Sequence, residues 1–179
     1  VDVTLEGAAG VGTAQQAIHT DIKDGDANAS LSAKATNGNI YINEISGDAA
    51  IDRVSAMAGD VTLTAKGSIV VATGTDGLVV GNSITLDATG GTIGTASAAI
   101  NLDSSAQQIS SSPVQFTQGQ VNLHATSDIN VNETVGDLRL QNATSDGGDV
   151  TISVENGSLI DADSFTEKDV RAITDLQNG

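Results

Sequence analysis

The sequence predicts an all-β chain wound as a β-solenoid of about nine coils. Three observations carry that prediction: strand-like runs recur about every ten residues, no helical stretch separates them, and whole phrases return after about 80 to 90 residues. Runs of strands without intervening helices exclude a doubly wound α/β fold. Duplication at that spacing then favours a solenoid over a sandwich or barrel, because each coil buries its apolar side against the next.

The runs alternate apolar and polar residues and are bounded by Gly, Asn, Asp and Ser. The first six are "VDVTL" (1–5), "ASLSA" (29–33), "NIYIN" (39–43), "AAIDRV" (49–54), "DVTLTA" (60–65) and "SIVVA" (68–72). Then come "SITLDA" (83–88), "AINLD" (99–103), "VQFT" (114–117) and "VNLHA" (121–125). The series closes with "DINVN" (128–132), "DLRLQ" (137–141), "DVTISV" (149–154) and "SLIDA" (158–162). Strand groups repeat about every 20 residues, which suits one turn of a three-sided β-helix. At about 4.8 Å per coil, the rod would be on the order of 40 Å long.

The tail departs from this pattern. In "DSFTEKDVRAITDLQN" (163–178), Ser164 and Glu167 are spaced as a capping box. At roughly 100° per residue, Phe165, Val170, Ala172, Ile173 and Leu176 share an arc of about 160°. The sequence therefore predicts a short C-terminal amphipathic helix at 164–178, acting as a cap or as an insertion between repeats, with the insertion favoured.

Three phrases are duplicated. "NGNIYINEISGD" (37–48) returns as "TSDINVNETVGD" (126–137), "VGTAQQAI" (11–18) as "IGTASAAI" (93–100), and "AGDVTLTAKGSI" (58–69) as "GGDVTISVENGSL" (147–159). Their order is the same in both passes. The solenoid at 1–163 then divides into two degenerate supra-repeats, about 1–82 and 83–163. In the first phrase Ile40, Ile42, Ile129 and Val131 supply the inward stripe, and Gly47-Asp48 and Gly136-Asp137 turn the chain. Asn43 and Asn132 are placed to form side-chain ladders. Tyr41 becomes Asn130, an exchange suited to an outward shaft position rather than a ligand contact.

Composition agrees with thin layers rather than a thick core: aromatics are 2% of residues, and one proline stands against 20 glycines. The 23 acidic residues against seven basic ones give a net charge of −16. Nucleic acid and anionic lipid both require the opposite balance, so neither is an expected partner. Without cysteine there is no disulfide framework or thiolate metal site. No apolar run reaches the roughly 18 residues of a membrane span, so membrane insertion is not expected. Lacking an initiator Met and a signal-like start, the chain reads as an excerpt of something longer.

These phrases, with "DINVNETVGDLRL", "GGDVTISVENGSLIDA" and the segment after "LIDA", resemble the repeat regions of large filamentous-haemagglutinin-like bacterial exoproteins and adhesins. The resemblance covers essentially the whole chain. It implies a right-handed parallel β-helix, export to the bacterial cell surface or the extracellular space, and a role as the shaft of a fibre. The partners it implies are flanking repeats of the same polypeptide, with host or neighbour-cell glycans or proteins as targets. The alternatives are a subunit that stacks end to end into a filament through its open strand edges, and a cation- or carbohydrate-binding module on the side of the rod.

The residues themselves point to no catalytic machinery, and the expected chain is not an enzyme. A lyase would need a Lys or Arg base beside a carboxylate cluster and a glycosidase a pair of carboxylates; the chain has only three arginines, Arg53, Arg139 and Arg171, and Arg53 and Arg139 fall near corresponding places in the two repeats, as solvent-facing strand residues would. His19 and His124 lie apart from any triad pattern and read as surface residues. Ca²⁺ is the chemical alternative. "DIKDGDAN" (21–28) gathers Asp21, Asp24 and Asp26 around Gly25, and "SDGGDV" (145–150) sets Asp146 and Asp149 across two glycines. Hard oxygen ligands on tight turns suit that ion, but neither stretch completes the EF-hand or calcium β-roll spacing. They are weak Ca²⁺ candidates, and no cofactor is otherwise expected. The sequons at Asn28, Asn132, Asn142 and Asn156 are what an Asn-, Ser- and Thr-rich chain produces by chance. A solitary "TLT" (62–64) is not an ice-binding ladder.

Overall fold

The computed structural model describes residues 2–22, 29–104, 107–111, 114–117, 119–162 and 170–172. In chain order the strands are β1 (Asp2–Gly7), β2 (Ile18–Thr20), β3 (Ser30–Ala35), β4 (Ile40–Glu44), β5 (Ala49–Ala56) and β6 (Val61–Ala65). There follow β7 (Ile69–Val71), β8 (Leu78–Val80), β9 (Ile84–Ala88), β10 (Ile100–Asp103), β11 (Gln107–Ser111) and β12 (Val114–Thr117). The remainder are β13 (Val121–Ala125), β14 (Ile129–Glu133), β15 (Leu138–Ser145), β16 (Val150–Val154), β17 (Leu159–Asp161) and β18 (Val170–Ala172).

These strands wind into a parallel β-solenoid. One long sheet stacks β1, β3, β5, β8, β10, β14 and β16, and the facing sheet stacks β2, β4, β6, β9, β13, β15 and β17. Seven strands follow one another along each path, so about five coils lie between two end coils. The expected nine coils are too many because residues leave the winding in lateral excursions. One of them carries the antiparallel hairpin β11–β12; "VQFT", expected as a coil strand, is its second arm.

The core is a set of apolar columns, one residue per coil. In the second sheet Ile40, Val61, Ile84, Val121 and Leu140 stand in register, beside Ile42, Leu63, Leu86, Leu123 and Ala143. All are buried. Period-two alternation puts every second residue inward, and burial of each large aliphatic side chain stabilises by about 1.5–3 kcal/mol. The inward residues expected in the duplicated phrase, Ile40, Ile42, Ile129 and Val131, are in this core.

Several predicted strands began one residue early, at an Asn, Asp or Ser that turns out to be a corner. Its side chain accepts the backbone N–H of the next coil's corner. Asn39 Oδ1 accepts from Asp60 N (2.9 Å), and Asp60 Oδ1 accepts from Ser83 N (3.0 Å). At other corners Asp48 takes Ser68 N (2.6 Å), Asp128 takes Asp149 N (3.0 Å) and Asp137 takes Ser158 N (2.8 Å). Between strands the ladder lapses, and these short side chains supply acceptors the backbone lacks.

The C-terminal helix is not found, and no helix occurs among the described residues. Val170–Ala172, inside the expected helix, is the strand β18, paired in parallel with Ala143–Ser145. β17 covers only Leu138–Leu140, so the second half of β15 offers open backbone groups that a strand satisfies and a helix does not. The rest of 164–178 lies outside the described residues.

Candidate functional site

The duplicated phrases adopt the same local structures, on opposite sheets. β4 and β6, from the first copies, lie in one sheet, whereas β14 and β16, from the second, lie in the other. "VGTAQQAI" and "IGTASAAI" each form a small lateral excursion. Val11 and Ile18 both align on β4, and Ile93 and Ile100 both on β14, so the intervening residues are pushed out of the winding. Each excursion is closed by a mutual backbone pair, Thr13 with Gln16 (2.9 and 3.1 Å) and Thr95 with Ala98 (2.9 and 3.1 Å). Gly12 and Gly94 turn the chain with φ of 69° and 63°.

Glu44 and Glu133, matched in sequence but given no role there, are buried. Glu44 accepts the N–H of Ile22 on both oxygens (3.0 and 3.1 Å). Its counterpart Glu133 accepts from Ser104 N (2.9 Å) and Ser104 Oγ (2.6 Å). Both carboxylates thus tie down the chain leaving the preceding coil. Burial pushes the Glu133 carboxyl above its ordinary value, against the lowering effect of the Ser104 hydrogen bonds. Buried glutamates invite a catalytic reading, but these act as internal caps. Gly47 and Gly136, in the left-handed region at φ 69° and 77°, turn the chain as expected.

The remaining details of the phrase are mixed. Asn132 forms a ladder, donating to Asn101 Oδ1 (3.1 Å) and Glu155 Oε1 (2.6 Å) and accepting from Ser153 Oγ (2.9 Å). No such bond joins Asn43 to its neighbours. Tyr41 is half-buried, but Asn130 is buried, its N–H bonded to Ile93 O (2.7 Å) at the foot of the second excursion.

Of the Ca²⁺ candidates, Asp21, Asp146 and Asp149 fall within the described residues, and none of them joins a metal-binding group there. Asp21 accepts a hydrogen bond from Ser46 Oγ, and Asp24 and Asp26 lie outside the described residues. Asp149 uses its backbone N–H on Asp128, while Asp146 faces His124. Among the described residues no three His, Asp or Glu side chains form a metal-binding group.

His124 is on the surface, as expected, but it is not isolated. Its Nδ1 lies 2.7 Å from Asp87 Oδ1 and its Nε2 3.4 Å from Asp146 Oδ2. The hydrogen bond to Asp87 raises the imidazole pKa above its ordinary value, opposed by partial burial and reinforced by the charges of Asp87 and Asp146. His19 is exposed in β2, in register with Asn43.

Arg53 and Arg139 do not occupy corresponding places. "GDAAIDRVSAMAGD" (47–60) aligns with "GDLRLQNATSDGGD" (136–149), which pairs Arg53 with Asn142 and Arg139 with Ala50. Both strands carry the same β-bulge. Leu31 and Ser32 face Ile51 and Arg53, just as Val121 and Asn122 face Leu140 and Asn142. Even the side chain beside the bulge is held alike: Ser32 Oγ donates to Asp52 (2.8 Å) and Asn122 Nδ2 to Gln141 (3.1 Å). In the first copy the bulge sets Arg53 into a groove of about 420 Å³, lined also by Glu6, Lys34, Ser55 and Met57.

Comparison with family models, with curated proteins and with solved structures gives no match.

Proposed function

We propose that this chain is a non-catalytic shaft segment of a large secreted or cell-surface fibrous adhesin. The supporting observation is that the apolar interior runs on, uncovered, into both end coils. Val3 and Leu5 in β1, and Val150, Ile152 and Val154 in β16, point into the stack yet are only partly buried, whereas interior counterparts such as Leu63 and Leu86 are fully buried. Leu159 in β17 is 50% exposed. The outer edges of β1 and β16 carry no partner strand among the described residues. Further coils of the same winding would satisfy both the side chains and the edges. A right-handed winding is part of this reading, being the hand that parallel crossover connections nearly always take.

The same ends support a second reading, copies stacking end to end into a filament. Sedimentation in dilute solution distinguishes the two: the shaft reading expects a monomer, and concentration-dependent growth would favour the filament. Surface location is tested by antibody labelling of intact source cells. Labelling only after permeabilisation would overturn it.

A further inference from the structure

The two copies of the bulged β-unit present the same framework with different groups on it, and the second shows what fits the first. Across β9, β13 and β15 the outer register runs Asp87, His124, Thr144. Across β1, β3 and β5 the equivalent run is Glu6, Lys34, Ser55. Two residues further on, Asp146 stands in the second copy where Met57 stands in the first. The second copy thus gives its imidazole a carboxylate partner on each ring nitrogen, Asp87 and Asp146.

The first copy differs here. Met57 removes the second carboxylate, and Arg53, in place of Asn142, adds another cation beside Lys34. The two are diagonal neighbours on one face, since Arg53 faces Ser32 and Lys34 faces Ser55. Among the described residues neither takes part in an ion pair or side-chain hydrogen bond. Of the nearby carboxylates, Asp52 is held by Ser32 and Glu6 is matched in register to Lys34, as Asp87 is to His124. What the first copy lacks is the carboxylate that Asp146 supplies in the second. A guanidinium is well suited to receive one in two-point fashion.

We propose that the groove around Lys34 and Arg53 binds an acidic side chain of another polypeptide, its carboxylate taking the place that Asp146 takes on His124. The internal precedent is itself a polypeptide aspartate, which favours an acidic peptide over other carboxylates. The exposed Met57 offers an apolar wall for the ligand's methylene groups. A cavity of about 420 Å³ has the volume of an ordinary small-ligand pocket. This inference does not rest on the shaft reading, and either can fail alone.

The test is an NMR titration of the whole chain at low ionic strength with acetyl-(Gly-Asp)3-amide, with acetyl-(Gly-Asn)3-amide and tri-galacturonate as comparison arms. Saturable shifts around Lys34 and Arg53 with the Asp peptide alone are expected. Arg53→Gln and Lys34→Gln should each weaken that binding at least tenfold, and Met57→Asp should abolish it by supplying the missing carboxylate internally. Spectra of the free variants that overlay the parent away from the groove establish that the fold is kept. No saturable binding, or binding indifferent to all three substitutions, overturns the proposal. Tri-galacturonate binding with the peptide silent overturns its assignment to a polypeptide ligand.

Discussion

Gly94 and Gly74 share a left-handed backbone but differ in their surroundings. A Cβ on Gly94 would lie 2.3 Å from Asn130 O, whereas nothing lies within 4 Å of one on Gly74. Gly74→Ala should cost about 1 kcal/mol, the conformational penalty alone, and Gly94→Ala distinctly more, as read from chemical denaturation. Glu133 makes a second residue-scale prediction. Its carboxyl titrates above the ordinary 4.5 in the folded chain, so the native state binds the proton more tightly than the unfolded state. The contribution of Glu133 to stability should therefore fall as pH rises from about 4.5 through the folded value. Glu133→Ala leaves Ser104 N–H without this acceptor and should cost about 1–3 kcal/mol. Glu133→Gln should remove the pH-dependent component, visible in melting curves across that window. The match of Glu44 with Glu133 was legible in the sequence. Their burial was not, because alternation alone does not tell an internal cap from a solvated carboxylate.

Among elements, position along the rod decides how much a core residue matters. Leu86 in β9 has a coil on each side, whereas Leu5 in β1 has a described neighbour on one side only. Leu86→Ala should destabilise by about 2–5 kcal/mol and Leu5→Ala by less, and hydrogen exchange should be slower in β6, β9 and β13 than in β1 and β16. The clasp joining β9, β13 and the end of β15 adds a pH effect. His124 binds its proton more tightly when folded, so its contribution is complete below about pH 6.5 and is lost as pH rises through the raised value. Its NMR titration midpoint should lie above 6.5 and move down in Asp87→Asn. Most strands were legible from their alternation, but the three-residue β2, β8 and β18 are too short to show a period. The hairpin arm "VQFT" reads like any solenoid strand, since pairing direction leaves no mark on alternation.

For the whole molecule, net charge sets the response to salt. A chain at −16 repels itself most when compact, so added NaCl should raise the melting temperature through screening. At equal ionic strength CaCl2 and MgCl2 should act alike, since the candidate aspartates within the described residues do not converge. A stabilisation specific to Ca²⁺ and saturable would instead show that a site exists. The duplicated phrases bear on shape at this scale, because copies on opposite sheets make the two faces of the rod locally equivalent. That half-turn relation is invisible to a one-dimensional comparison, which records separation along the chain and not the rotation accumulated in winding.

Most of the strands, the winding and the inward turn of the aliphatic side chains follow from the order of residues, because period-two alternation and Gly-Asp corners are local properties. Tertiary structure alone decided how many coils those residues make, since excursions such as 12–17 and 94–99 consume length without advancing the winding. It also made Val170–Ala172 a strand despite an amphipathic helical pattern, because the open half of β15 presented backbone groups to be paired. Most consequential for function, it set Lys34 beside Arg53 and His124 between two aspartates. Those neighbours are about 20 to 40 residues apart in the chain and meet only because successive coils stack in register.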